Sequence, residues 1–229
     1  RWDGHSYTEV ASGGLGAISA IWGSAGADDP DREIWIAGPV GVRRLKGGAI
    51  DQITDDAGQQ YQPFAINALW GGRTAGNRPE VWASVGIALL RRSGDLSFSS
   101  VNLPPFSLIL GIWGISPADL WSVGLRGAVA HWDGLTLTSS STGRRTDVLA
   151  LAVSSAQEVW VGNRTGELLL DLPEGQVKVT QTLNPGFIAL HSAIPGVVWG
   201  ALDVGLVLRR VRGISGGELF DTSPTMSPT

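Results

Sequence analysis

One unit of sequence returns five times, and that return limits the fold more than any single motif. A tryptophan followed by a small or apolar run ending in glycine occurs at Trp35, Trp82, Trp121, Trp160 and Trp199, at spacings of 47, 39, 39 and 39 residues. Glycine follows six residues later at Gly41, Gly127, Gly166 and Gly205; the second copy has Gly86, two residues early, which reads as a shortened loop. A carboxylate opens the segment at Glu33, Glu80, Asp119 and Glu158, and Val197 breaks the rule in the fifth copy.

A second matched segment lies upstream of each tryptophan. It begins at Ile18, Ile66, Ile109, Val148 and Phe187, and its third position is always small: Ala20, Ala68, Gly111, Ala150 and Ala189. The fourth is Ile or Leu. The fifth is Trp22, Trp70, Trp113, Ala152 and His191. All ten tryptophans fall on repeat positions once Trp2 and Trp132, both in a Trp-Asp-Gly context, are counted.

Each unit therefore holds four short apolar runs separated by turn residues; in the third copy they are 108–113, 119–124, 127–132 and 135–140. No window shows a sustained 3.6-residue period. Four short strands in roughly 40 residues are the mark of a propeller blade. The expected fold is thus all-β: a β-propeller, five blades of four antiparallel strands in a single domain over 1–221, with a Ser/Thr/Pro-rich tail at 222–229. Crowding of the innermost strands near an axis accounts for the small third residue.

Residues 1–10 repeat the His131-Trp132-Asp133-Gly134 end of the third unit, so the chain begins on the last part of a blade. The fifth unit has its own candidate outer strand at 217–221, which leaves one strand over. Three readings stay open: 1–10 closes a five-bladed ring, the chain is part of a larger ring, or the spare strand pairs with a neighbouring copy. The chain opens on Arg1 without a signal peptide and reads as part of a longer product.

Composition narrows the function. The formal net charge of −4 argues against nucleic acid, which needs a basic face. No apolar run reaches the length of a membrane span. Cysteine is absent, which excludes disulfides and thiolate chemistry. Glycine, 32 residues, is about twice the usual share and suits many tight turns. Asn163-Arg164-Thr165 is an N-glycosylation sequon, and Thr222, Ser223, Thr225, Ser227 and Thr229 lie in a tract of the kind that carries O-glycans. These features point to an extracellular or cell-surface setting.

The pattern Ile-Trp-Gly, Asp/Glu-aliphatic-Trp, Val-Gly and Gly-apolar-His-Trp-Asp-Gly resembles exported bacterial propeller repeats of the WGxSxxDVWAVG/HWDG type; the third unit matches nearly throughout. In blade count and length the chain is also similar to tachylectin-like five-bladed lectins. It lacks the Gly-His…Trp-Asp spacing of intracellular WD repeats. The resemblance implies a propeller and carries no catalytic residues across.

Chemistry-bearing residues are sparse. Gly213-Ile-Ser215-Gly-Gly217 has the letters of a nucleophile elbow, but no helix follows as that motif requires. His5, His131 and His191 are far apart and read as packing histidines. Asp28, Asp29 and Asp31, with Glu33, offer hard oxygens to a cation such as calcium, without the glycine and distant Glu of a calcium hand; a solvated acidic loop is the alternative. The second-strand tryptophans read as core. Trp22, Trp70, Trp113 and His191 are candidate binding residues, with the aromatic rings as platforms for a sugar. Arg43-Arg44, Arg91-Arg92 and Arg209-Arg210 recur on the third strand, as solvated strand ends or as a recurrent carboxylate site.

The expectation is a non-catalytic extracellular interaction or assembly module, without cofactor, binding protein or glycan. It would self-associate by strand addition. A multivalent lectin is the alternative, and a glycan-active enzyme is a third reading.

Overall fold

The computed structural model describes residues 5–8, 16–24, 32–60, 66–74, 76, 78–101, 107–155, 158–171, 177–182, 185–212 and 218–223. The chain packs as two compact units, Arg1–Val101 and Asn102–Thr229, where the sequence suggested one domain. Among the described residues there is no α-helix, and none long and apolar enough to cross a membrane.

Unit one holds two sheets. Sheet 1 runs β1 (Ala20–Gly23), β2 (Glu33–Gly38), β3 (Gly41–Lys46) and β4 (Ala49–Gln52), each antiparallel to the next. Sheet 2 is β6 (Ile66–Arg73), β7 (Pro79–Val85), β8 (Ala88–Arg92) and β9 (Ser97–Val101), to which the short β5 (Thr54–Asp55) adds a fifth, parallel strand alongside β9. The repeat did not announce β5: it lies in the connection between copies.

Unit two holds three sheets. Sheet 3 is β10 (Ile109–Ser116), β11 (Asp119–Gly124), β12 (Ala128–Trp132) and β13 (Leu137–Ser141). Sheet 4 is β14 (Val148–Ser155), β15 (Glu158–Asn163), β16 (Glu167–Asp171) and β17 (Val177–Thr182). Sheet 5 is β18 (Phe187–Ile194), β19 (Val197–Leu202), β20 (Val207–Arg212) and β21 (Glu218–Ser223).

The repeat glycine has a conformational cause. Gly41, Gly86, Gly127, Gly166 and Gly205 all sit at positive φ in the turn between second and third strands, where a Cβ would clash with its own backbone. The shortened second copy, Val85 to Ala88, keeps its glycine there. Just before the small third residue, the first strand of sheets 2 to 5 slips register: between Ile66 and Leu69, Ile109 and Gly111, Val148 and Ala150, Phe187 and Ala189. The irregularity recurs because the sequence around it recurs.

Each sheet has two faces. Within each unit, the forward face of one sheet meets the rear face of the next. Three junctions show this. In unit one, Trp35, Ala37 and Val42 of sheet 1 pack on Ile66, Val81, Ala83 and Leu90 of sheet 2. In unit two, Val123 and Val129 of sheet 3 meet Val148, Leu151, Val159 and Val161 of sheet 4, and Ala150, Trp160 and Leu168 of sheet 4 meet Phe187, Leu190, Val198 and Leu208 of sheet 5. Period-two alternation sends the tryptophan forward and its neighbours on either side to the rear.

Two expectations about the termini change. Sheet 5 takes its fourth strand from Glu218–Ser223, so that place is not filled by 1–10. Thr222 and Ser223 are not tail: they pair with Leu208 and Val207, while Thr225, Ser227 and Thr229 lie outside the described residues. Of 1–10, residues 5–8 are described, with Tyr7 as an isolated bridge residue.

Candidate functional site: a charged cleft in unit one

The carboxylate that opens the first four repeats stands two residues before the tryptophan, on the same face of the strand, and the residue opposite that tryptophan comes from the third strand. The cross-strand partner is Arg44 for Trp35, Arg91 for Trp82, His131 for Trp121 and Arg209 for Trp199. Acid, indole and base thus meet on one surface. His131 Nε2 lies 2.9 Å from Asp119 and stacks on Trp121 with centroids 4.1 Å apart. Arg91 pairs with Glu80 and lies over Trp82 at 5.5 Å. Arg209 lies over Trp199 at the same distance. In sheets 1 and 4 the indole N–H donates to the carboxylate: Trp35 Nε1 to Glu33 at 3.3 Å and Trp160 Nε1 to Glu158 at 2.6 Å.

The same carboxylate reaches the next sheet. Both oxygens of Glu158 accept from the backbone N–H of Gly196, at 2.9 Å each, in the turn between β18 and β19. Glu33 accepts from Arg92 Nη1 on β8 at 2.9 Å. A buried carboxylate without such donors would be costly; the repeat supplies them from its own Trp and from its neighbour.

Around Glu33 the pattern widens into a network. Arg44 Nη1 and Lys46 Nζ each stand 3.4 Å from Glu33. Arg44 also donates to Asp51 at 2.8 Å and Asp95 at 2.7 Å. Arg92 reaches Asp95 at 3.1 Å and lies 5.0 Å over the Trp35 ring. Hydrogen bonding from Arg44 holds the Asp95 carboxyl below its ordinary value against the opposing effect of burial. Burial works against the Arg44 charge, but its hydrogen bonds to Asp95 and Asp51 prevail and raise its pKa.

Above the network lies a cleft of about 460 Å³, lined among others by Glu33, Lys46, Arg78, Glu80, Arg92 and Asp95. The long connection between β6 and β7 forms one wall and brings in Arg78. Each carboxylate in the lining has a cation: Glu33 has Arg44, Lys46 and Arg92, Glu80 has Arg91, Asp95 has Arg44 and Arg92. Arg78 is exposed, and among the described residues no ion pair or hydrogen bond of its guanidinium is seen; its backbone N–H donates to Thr74 Oγ1 at 3.2 Å and its carbonyl accepts from the Thr74 N–H at 3.0 Å. The uncommitted charge of the cleft is therefore positive.

The residues singled out in the sequence fall elsewhere. The Trp22 ring covers Gly71 of β6, so close that a Cβ there would lie 2.7 Å from it. Trp113 is half-buried and donates from Nε1 to the Val153 carbonyl at 3.1 Å, with its edge against His191 at 5.7 Å. Trp70 is half-buried opposite Trp82. The Trp22 and Trp113 rings are thus engaged against neighbouring sheets. His191 is exposed. Trp199, expected in the core, is 41% exposed. Asp28, Asp29, Asp31 and 213–217 lie outside the described residues; among the described residues no group of three His, Asp or Glu is placed to hold a metal ion.

Asn163 is a correction. Its side chain is buried, donates to Thr146 Oγ1 at 2.9 Å and Glu167 at 2.6 Å, and accepts from the Thr165 and Glu167 backbone. An amide nitrogen so enclosed has no room for a glycan in this fold. The sequon letters are there because Asn163 is the Asx residue of the turn, where an amide that bonds its own backbone is favoured.

The sequence pointed to the long connection that holds Arg78 as a place for binding, but not to Arg78 or Asp95 as site residues. They sit in turns that differ between copies, and only the recurring arginine pairs hinted at a carboxylate partner.

No protein-family description and no curated protein matches this sequence. Solved structures do. A catalytically inactive variant of virginiamycin B lyase from Staphylococcus aureus, solved with quinupristin, is 13% identical with a TM-score of 0.67, over 86% of this chain and 67% of that one. BBS1N in complex with ARL6DN is 11% identical, TM-score 0.64, over 91% and 70%. A humanized mutant of the Chaetomium thermophilum Polycomb Repressive Complex 2 is 10% identical, TM-score 0.63, over 93% and 54%. The chain thus has a β-propeller fold and spans about two thirds of the first two chains and about half of the third. At such identity the likeness concerns fold alone.

Proposed function

We propose that this chain is a non-catalytic β-propeller of five blades that serves as an interaction module and binds an acidic segment of a partner protein. The observation that carries the reading is the cleft of unit one: a braced floor of paired charges with the Arg78 guanidinium left over at its side. A rigid, prepaid network lowers the cost of ordering a ligand there, and an Asp or Glu side chain supplies the forked acceptor that a guanidinium matches. Two of the structural neighbours are protein complexes, which supports a protein partner.

The lectin alternative is less well supported, since Trp22 and Trp113 already use their rings in packing. For the extracellular setting, the Ser/Thr/Pro-rich end remains as support once the Asn163 sequon is withdrawn.

The test is titration of the purified chain with oligoglutamate and oligolysine peptides at low salt. Oligoglutamate binding that weakens with salt and is lost in Arg78→Ala supports the reading. No binding at millimolar peptide, or binding indifferent to Arg78→Ala, overturns it; so does selective binding on a glycan array.

A further inference from the structure

Equivalent positions of the repeat are mostly buried where a sheet has a neighbour on that side, with Leu69 and Trp121 half-buried. The first-strand residues Ile66, Val148 and Phe187, on the rear faces of sheets 2, 4 and 5, are at most 1% exposed. Their counterpart in sheet 1, Ile18, is 53% exposed. Three residues on, Leu151 and Leu190 are buried, whereas Ile21 is 65% exposed. Beside the second-strand tryptophan, Val81, Val159 and Val198 are buried; Ile34 and Ile36 of sheet 1 are only half-buried. Among the described residues, the rear face of sheet 1 is thus a stripe of four isoleucines, two open and two partly covered.

Sheet 5 shows the reverse. On forward faces, Trp35 and Trp160 have no exposure at all, and Val42 and Leu168 are equally closed. Their counterparts Trp199 and Val207 are 41% and 42% exposed, and the small residue of the first strand, Ala189, is open as well. The carboxylate of the other copies is also absent: Val197 stands where they have Glu33, Glu80, Asp119 and Glu158. That place on the face is therefore apolar, while Arg209 lies exposed over the Trp199 ring.

We propose that the forward face of sheet 5 in one copy of this chain packs on the rear face of sheet 1 in a second copy, adding a junction of the kind already seen within each unit. The occupant is specified by the chain itself. Three described junctions are made by a tryptophan-bearing forward face on an aliphatic rear face, and each copy presents one of each uncovered. Isolated exposed apolar residues are ordinary, but a matched pair of contiguous faces is not. The contact is heterologous, so copies add in series, and closure into a ring or growth into a fibre depends on the angle it makes. It needs no spare strand, and so differs from edge pairing by 1–10. The inference goes beyond the function proposed above and is independent of the acidic-segment cleft.

Sedimentation velocity of the full chain over a concentration series tests it. The expected result is association that grows with concentration. Ile21→Lys, breaking the rear face, and Trp199→Glu, breaking the forward face, each leave a monomer; mixing the two variants in equal amounts restores a one-to-one dimer that grows no further, since each contributes its intact face. Val207→Glu serves as a second forward-face variant, and far-ultraviolet circular dichroism checks that each variant is folded. A wild-type monomer at all concentrations overturns the proposal, whether Trp199 is then quenched by acrylamide or shielded by closure within one copy. Association that survives either variant, or two monomers that fail to complement, also overturns it. Oligoglutamate binding by the monomeric variants reports on the cleft separately.

Discussion

Removing the Glu33 carboxylate is the sharpest perturbation of the network beneath the cleft. The side chain is 3% exposed, and its partners Arg44 and Arg92 are 7% and 13% exposed. Glu33→Ala strips a charge-assisted acceptor from both guanidiniums and from the Trp35 indole. Breaking a buried pair costs about 3–5 kcal/mol because the survivor is left uncompensated. Here Arg44 keeps Asp51 and both arginines keep Asp95. Asp95 is largely solvent-exposed and its contribution is screened, so the lower end, about 3 kcal/mol, is expected. Glu33→Gln keeps the shape and one acceptor and is expected to cost about 2 kcal/mol. Urea unfolding followed by tryptophan fluorescence reads both, with the denaturant slope unchanged. The Glu33→Ala, Arg92→Ala cycle adds a coupling of about 1–3 kcal/mol. A loss below about 0.5 kcal/mol for Glu33→Ala, the value of an exposed ion pair, would refute the claim that this carboxylate ties sheet 1 to sheet 2.

Other consequences can be checked alongside. Gly71→Ala places a methyl against the Trp22 ring and is expected to cost about 1–3 kcal/mol by overpacking, with a shifted tryptophan emission; an unchanged midpoint would contradict the packing. Asn163→Ala leaves the Thr165 and Glu167 amides without their acceptor and is expected to destabilise by about 2 kcal/mol in the same unfolding assay. The Asp133 carboxyl accepts from the Thr136 and Leu135 backbone and from the Thr136 hydroxyl, which draws its pKa down to about 2. A depressed pKa adds stability that is present above the unfolded value near 3.9 and lost as pH falls toward 2. Carboxyl NMR titration should show the low midpoint, and Thr136→Val should raise it.

The fold was legible because its signal is redundant. In the third copy the four runs at 108–113, 119–124, 127–132 and 135–140 meet β10 to β13 with shifts of at most three residues at their ends. Trp35, Trp82 and Trp160 are buried as the alternation requires. Trp199 departs from the same rule for a reason no single-chain pattern contains: a core position is core only if another sheet lies on it. The site was less legible. Glu33 was read as part of an acidic loop, and its role depends on Arg92, which lies 59 residues away. The inner-strand tryptophans looked like platforms because sequence gives their number but not what lies against their faces; for Trp22 that is the missing side chain of Gly71. Asn163 carried a modification signal that the turn chemistry of the same three residues explains better.

A crystal structure of this chain tests the central claim most directly. The account predicts the Trp35 ring laid on sheet 2 and the Trp160 ring on sheet 5, each within its own unit. The two indoles found against their own sheet's outer strand would contradict it.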